Sequence, residues 1–409
     1  MQLAQFLKNR KGGVAPMLAL AAIPLFGSVG AAIDYSRASS GRAAMQAAAD
    51  ATALFIVKNM SRQSGGDPSA EVLSYFNANF HRPDVHITQV SASPNSGANQ
   101  QMLTVTAQGS VKTMIMGVLG VSSIALDVTA SAASLFDGFG CVLALDKEVS
   151  NSFIGQGSTA VDLKGCSLYD NSSNKQALTV AGSAKVSALS VGVVGGITPG
   201  SYGLSADQGI STGIWPVEDP YKDVQPPTAG ACTQNNFHAT TSTTLNPGVY
   251  CGGMAIHSGA TVTLNPGVYY LDGGDLAVNG NAGLVGDGVT LIFTKKNRNS
   301  YATATINGSA NIALTAPAYG PTAGIVMFGD RGIPKGTDYK LNGGASQTFG
   351  GAIYFPTATI NFSGGNATTA ACTQLIGNTI NFSGISNLAI NCSSYKTKPF
   401  GVWTIRLES

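Results

Sequence analysis

The word Thr-Ile-Asn-Phe-Ser-Gly stands at residues 359–364 and again at 379–384, and Leu-Asn-Pro-Gly-Val-Tyr stands at 245–250 and again at 264–269. Repetition with a period near twenty residues constrains the fold strongly, because a repeat that short cannot bury a core of its own and must stack on its neighbours. A looser theme of one strand and one turn recurs at residues 180–184, 278–282, 306–310 and 341–345. Its Gly and Asn residues tolerate positive φ, so short strands can turn corners and wrap into coils whose strands pair in parallel. Equivalent residues then form columns. Asn361 is expected beside Asn381 and Phe362 beside Phe382, about 4.8 Å apart. These patterns predict a right-handed parallel β-helix, a solenoid, over residues 136–409 with a C-terminal cap.

The cysteines fit the same period. Cys141 and Cys166, Cys232 and Cys251, and Cys372 and Cys392 are separated by 25, 19 and 20 residues. Six cysteines allow many pairings, but this one puts each pair on neighbouring coils, within the Cα separation of about 4.4–6.8 Å that a disulfide needs. Disulfides imply an oxidising compartment. Zinc is a poor rival: no Cys-x-x-Cys occurs, and His81, His86, His238 and His257 are dispersed. No cofactor is expected.

With 409 residues the chain is long enough for two or three structural units. Charged residues make up only 11% and the formal net charge is +2. That cannot supply the clustered cations on which phosphate binding depends, so nucleic acid is excluded as a partner class. Residues 224–271 and 341–395 carry no Asp, Glu, Lys or Arg. Their Gly, Ser, Thr and Asn build a neutral polar surface rather than a membrane span.

Lys8, Arg10 and Lys11 precede an uncharged run over residues 12–33. As a helix this run spans roughly 33 Å, enough for a bilayer core. The basic flank places residues 1–11 in the cytoplasm and everything after Asp34 outside, in the periplasm or at the cell surface, as a single-pass inner-membrane protein. A cleaved signal peptide is the alternative, since Gly30, Ala31 and Ala32 are small, but the apolar run exceeds the usual h-region and continues as helix. Gly12 and Gly13 also invite a prepilin reading. Prepilins resemble one another in a Glu five residues after the cut, and Met17 and Leu18 stand there instead.

Beyond Asp34 the strong helix formers of residues 41–54 extend this helix outward. Arg42, Gln46 and Asp50, four apart, make a polar stripe, and the alanine-rich remainder permits close approach of another element. Arg42, Gln46, Ala47, Asp50, Ala51 and Leu54 are therefore the candidate contact residues for pilin-like partners, against the simpler reading that the helix packs on its own domain. A turn at 61–68, a helix over 70–80 with Val72, Leu73, Phe76 and Phe80 at helical spacing, a hairpin of 85–90 with 102–111, and a strand at 124–132 complete a small α+β domain over residues 34–135.

The basic N-terminus, the single span, the Asp34-Tyr35-Ser36-Arg37 segment, the Gln46-Ala47-Ala48-Ala49-Asp50-Ala51-Thr52-Ala53-Leu54 helix, the Val111–Gly120 segment and the strand ending Val128-Thr129-Ala130-Ser131-Ala132 resemble TadG-like proteins of Flp (tight-adherence) pilus assembly. The resemblance covers about residues 8–135 and implies a pilin-like N-terminal domain. It also implies pilus-assembly partners and a role in assembly or anchoring through protein–protein contact, without catalysis.

The competing expectation is a surface adhesin or carbohydrate-active β-helix binding glycans, with Tyr250, Tyr269, Tyr270 and Tyr354 exposed to stack on sugars. Asp272, Asp275 and Asp287 could form a carboxylate group, although Asp-Gly-Gly-Asp and Gly-Asp-Gly are also ordinary turn sequences. Many TadG-like proteins carry a von Willebrand A domain with Asp-x-Ser-x-Ser. Here Asp146 and Ser150 match, but Glu148 replaces the first Ser and no α/β alternation follows, so that domain is not expected. The stretch 295–298 reads as a solvated loop.

Overall fold

The computed structural model describes residues 14–60, 68–97, 100–342, 347–363, 372–389 and 395–408. The chain divides into two compact units. The first comprises the described residues up to Phe136 together with the C-terminal strand; the second is Asp137–Val402. Residues 1–11, expected as a cytoplasmic stub, lie outside the described residues.

In the first unit, helix α1 (Val14–Met60, 47 residues) is about 70 Å long at 1.5 Å per residue. Its first half is clothed in exposed apolar side chains, among them Met17, Leu20, Leu25 and Phe26. It is long and apolar enough to cross a membrane. Its second half buries Ala38, Met45, Ala48, Ala49, Ala53, Ile56 and Val57, at the spacing of one helix face. Small residues there let the helix lie close to a four-stranded sheet of order β1-β2-β3-β4, where β1 is Val85–Ser96, β2 Gln100–Lys112, β3 Ser123–Phe136 and β4 Trp403–Glu408. All its ladders are antiparallel. At Gly41 an added Cβ would stand 2.9 Å from the Val85 side chain, which is why glycine marks the crossing. Helix α2 (Ser69–Asn79) adds Val72 and Phe76 to this core. The expected hairpin, third strand and second helix are all present. Residues 403–408, read from the sequence as part of the 136–409 domain, supply the edge strand of this sheet by pairing with β3.

The second unit is β-rich, and among its described residues every ladder is parallel. The repeated word pairs in register: Thr359 with Thr379, Ile360 with Ile380, Asn361 with Asn381, Phe362 with Phe382. Asn381 Nδ2 donates to Asn361 Oδ1 at 2.9 Å, and Thr379 to Thr359 at 2.9 Å. The second repeat slips within itself: Leu245 pairs with Leu264, but Tyr250 pairs with Leu271. Spacing between neighbouring strands is not constant, since Thr294 reaches Asp330 across 36 residues; loops such as 316–324 and 331–337 lengthen individual repeats. The turn theme holds where it is described, with Gly182, Asn281 and Ser309 all at positive φ.

The order of rows differs from the order of the sequence. One ladder runs from Gln234–Ala239 through Gly248–Ile256, Gly267–Asp272, Val289–Thr294, Ile325–Gly329, Thr348–Phe362 and Thr373–Phe382. It then continues into Gly140–Ala144, Ser167–Asp170, Val191–Val193 and Ile210–Thr212. The chain thus enters this unit in the middle of the ladder and builds outward to Thr212. It returns along the outside and builds inward from Gln234 until residues 375–377 pair with 142–144.

Candidate functional site

The return segment, residues 214–232, is the element that defines the outer face of this ladder. Pro216, Pro220, Pro226 and Pro227 remove amide donors from it, so it cannot join a ladder and lies across one instead. Val217 exchanges two hydrogen bonds with the Asn171 side chain, both 2.8 Å. Tyr221 packs on Tyr354 and donates to Gln374 at 3.0 Å. Arg331 donates to the carbonyls of Tyr221 (2.7 Å) and Val224 (3.0 Å), with its guanidinium over the Phe328 and Tyr354 rings. Lys296 donates to the Ala229 carbonyl, and Cys232 closes the segment by a disulfide to Cys251. Between this strap and the ladder lies a cleft of about 520 Å³, lined by Pro226, Tyr270, Thr294, Lys295, Asp330 and Arg331.

The strap corrects the tyrosine expectation. Tyr250 and Tyr269 point into the interior, and Tyr270 and Tyr354 lie under the strap; all are buried. Side chains alternate along a strand, so Tyr269 and Tyr270 must face opposite sides, and here each side is covered. Burial pushes the Tyr269 hydroxyl up to about 12 and raises Tyr250 and Tyr270. Tyr269 donates to the Leu245 and Asn265 carbonyls at 2.9 and 2.7 Å. None of the four offers a free ring face for a sugar.

Each of the aspartates considered for catalysis is engaged in a structural bond of its own. Asp275 accepts from Thr303 at 3.0 Å and Asp287 from Thr315. Asp272 is buried and accepts from the Asn297 amide at 2.7 Å. That amide and the bond from Arg298 to Asn235 Oδ1 (2.8 Å) tie the 295–298 loop to the body. Asp146 accepts from the Glu148 and Val149 amides at 3.0 Å, from Asn378 and from Lys335, both at 3.1 Å. It caps a turn and joins the two halves of the ladder. Ser152 and Asp170 bond beside it in the interior.

Two disulfides, Cys141 to Cys166 and Cys232 to Cys251, join neighbouring rows with Cα separations of 5.7 and 5.6 Å. Cys372 is disulfide-bonded as well; Cys392 lies outside the described residues.

On α1, Gln46 donates to Asp50 (2.8 Å) and to the Thr129 carbonyl of β3 (3.0 Å), and Leu54 packs partly against the core. Asp50 and Ala51 are half-buried, while Arg42 and Ala47 are exposed. The polar stripe therefore spends half its length on its own sheet, and the exposed part is what remains for a partner.

The strap and the order of rows were not foreseen. The four prolines between uncharged strands were the signal for the strap. For the order of rows no repeat was available to show it, since residues 140–144 and 373–377 share no sequence word.

No curated protein and no solved structure matches the chain at a significant level. Residues 12–54, a range that takes in the apolar half of α1 and the alanine-rich turns that follow it, match the family model described as putative Flp pilus-assembly TadE/G-like, the family that the N-terminal motifs resemble.

Proposed function

We propose that this chain is a membrane-anchored, exported component of Flp-type pilus assembly that acts by protein–protein contact rather than turnover. The observation that carries this reading is the family match over residues 12–54, which overlaps the one helix among the described residues that is apolar enough to span a bilayer. Lys8, Arg10 and Lys11 favour a cytoplasmic N-terminus, and the disulfides favour an oxidising compartment for the second unit. That unit is then a right-handed parallel β-helix displayed in the periplasm or at the cell surface, its neutral Asn and Thr ladders serving as a rigid scaffold.

Deleting the helix after Asp34 would be a poor test, because Ala49, Ala53 and Val57 are core residues. Substituting the exposed positions Arg42→Glu and Ala47→Arg leaves the core intact. Co-purification of pilin-like partners from cells assembling the pilus should fall sharply for this variant while its disulfides still form. Undiminished co-purification would remove this helix face as the contact.

A further inference from the structure

Residues 113–121 connect β2 to β3 beside the apolar half of α1. Their side chains are the wrong kind for water: Val118 is 87% exposed and Met114 69%, with Ile115 and Val121 exposed as well. An isolated apolar side chain on a surface is ordinary, but four within one short connection form a patch that calls for a partner.

The place of this loop identifies the partner. Asp34 Oδ1 accepts from the Met114 amide, and Oδ2 from the Ile115 and Met116 amides, all at 2.9 Å. These bonds, that of Met114 first, hold the Asp34 carboxyl below the usual carboxylate range. One turn earlier, a Cβ at Gly30 would stand 2.2 Å from the Ile115 side chain, so glycine is what lets loop and helix touch. The loop is therefore fastened to α1 over residues 30–34, the last turn of the apolar run. Around it stand groups that suit a headgroup layer. Tyr35 is 71% exposed, Lys112 ends β2 just before the loop, and Arg37 donates to the Lys112 carbonyl at 3.4 Å. Apolar tip, aromatic ring and basic collar follow one another outward, the order found where a protein meets a lipid surface.

We propose that residues 113–121 form an interfacial loop that inserts Met114, Ile115, Val118 and Val121 into the headgroup–acyl boundary of the leaflet from which α1 emerges. The first unit would then be held against the membrane at two points, helix and loop, rather than swinging on a single anchor. This rests on the reading of α1 as a membrane span, and the test separates the two.

Single cysteines at Val118, Leu20 and Ser93 of the full chain, labelled with an environment-sensitive fluorophore, would be compared after reconstitution into vesicles containing phosphatidylethanolamine and phosphatidylglycerol with spin-labelled lipids. Leu20 lies on the exposed apolar face of α1 and is 73% exposed. Ser93 pairs with Thr104, far along β2 from the loop. The expected result is a blue-shifted, quenched emission at Leu20 and Val118, and neither effect at Ser93. Quenching at Leu20 without quenching at Val118 overturns the loop inference and leaves the span standing. No quenching at either position overturns both, and quenching at Ser93 equal to that at Val118 overturns the loop inference. Because Val118 is almost wholly exposed, its replacement does not disturb the core.

Discussion

Asp170 is fully buried, and both its carboxylate oxygens accept from one hydroxyl, Ser152 Oγ, at 2.5 and 2.7 Å. Burial pushes it up to about 6 despite those bonds and the Ser172 amide. Asp146 is also pushed up by burial, but bonds from the Glu148 and Val149 amides, Lys335 and Asn378 outweigh that and hold it down at about 2. The two carboxylates act on stability with opposite signs. A group raised in the folded state contributes most below its unfolded pKa, near 3.8, and that contribution is lost as pH rises through about 6. Asp146 contributes above 3.8, and its share is lost as pH falls through about 2. Asp170→Asn should therefore stabilise the second unit at pH 7 by on the order of 3 kcal/mol and change little at pH 4. Urea midpoints at the two pH values check this; an unchanged midpoint at pH 7 would show that Asp170 is not held against its charge. Asp146→Asn should do the reverse, lowering the midpoint at pH 7.

At the scale of elements, the strap owes its position to few and identifiable contacts. Arg331 supplies two hydrogen bonds to strap carbonyls and two ring contacts, and the disulfide at Cys232 fixes the end. Valine, tyrosine and alanine side chains between them cover the outer apolar face of the ladder. Lys222 sits within the strap and is half exposed, so trypsin can report its release. Arg331→Ala should accelerate cleavage after Lys222 severalfold, since cutting follows local opening. Arg331→Lys should fall between, because an ammonium lacks the planar fork that reaches two carbonyls. Cleavage at the wild-type rate in both variants would mean that the strap is held elsewhere. These elements were unequally legible. Asn361 and Asn381 announced their pairing because identical words stack in register, and the cysteine spacing announced two bridges. Tyr270 misled because a tyrosine among neutral polar residues looks exposed, and only a distant proline-rich segment decides otherwise.

For the whole molecule, the order of rows decides which strands are interior. Sequence repetition reports that neighbouring rows exist, yet it carries no mark of where the first row meets the last, because pairing between residues 142–144 and 375–377 is backbone to backbone and asks only that side chains fit. Position in the chain is therefore a poor guide to stability here. Residues 375–377 lie near the C-terminus, but they pair with residues 353–355 on one side and 142–144 on the other, and Leu375 and Ile376 are fully buried. Residues 210–212 lie at mid-sequence, have one partner row among the described residues, residues 191–193, and are all exposed. In a stack whose rows are stabilised by their neighbours, opening should begin at the outer rows and reach the centre last. Hydrogen exchange followed by peptide mass analysis should find the amides of 375–377 and 142–144 among the slowest in the second unit, and those of 210–212 among the fastest. Rapid exchange at 375–377 would mean that the C-terminal rows do not pair with the N-terminal ones. The ladder would then end at Phe382 with an open edge, the state that a chain entering in the middle of its own stack avoids.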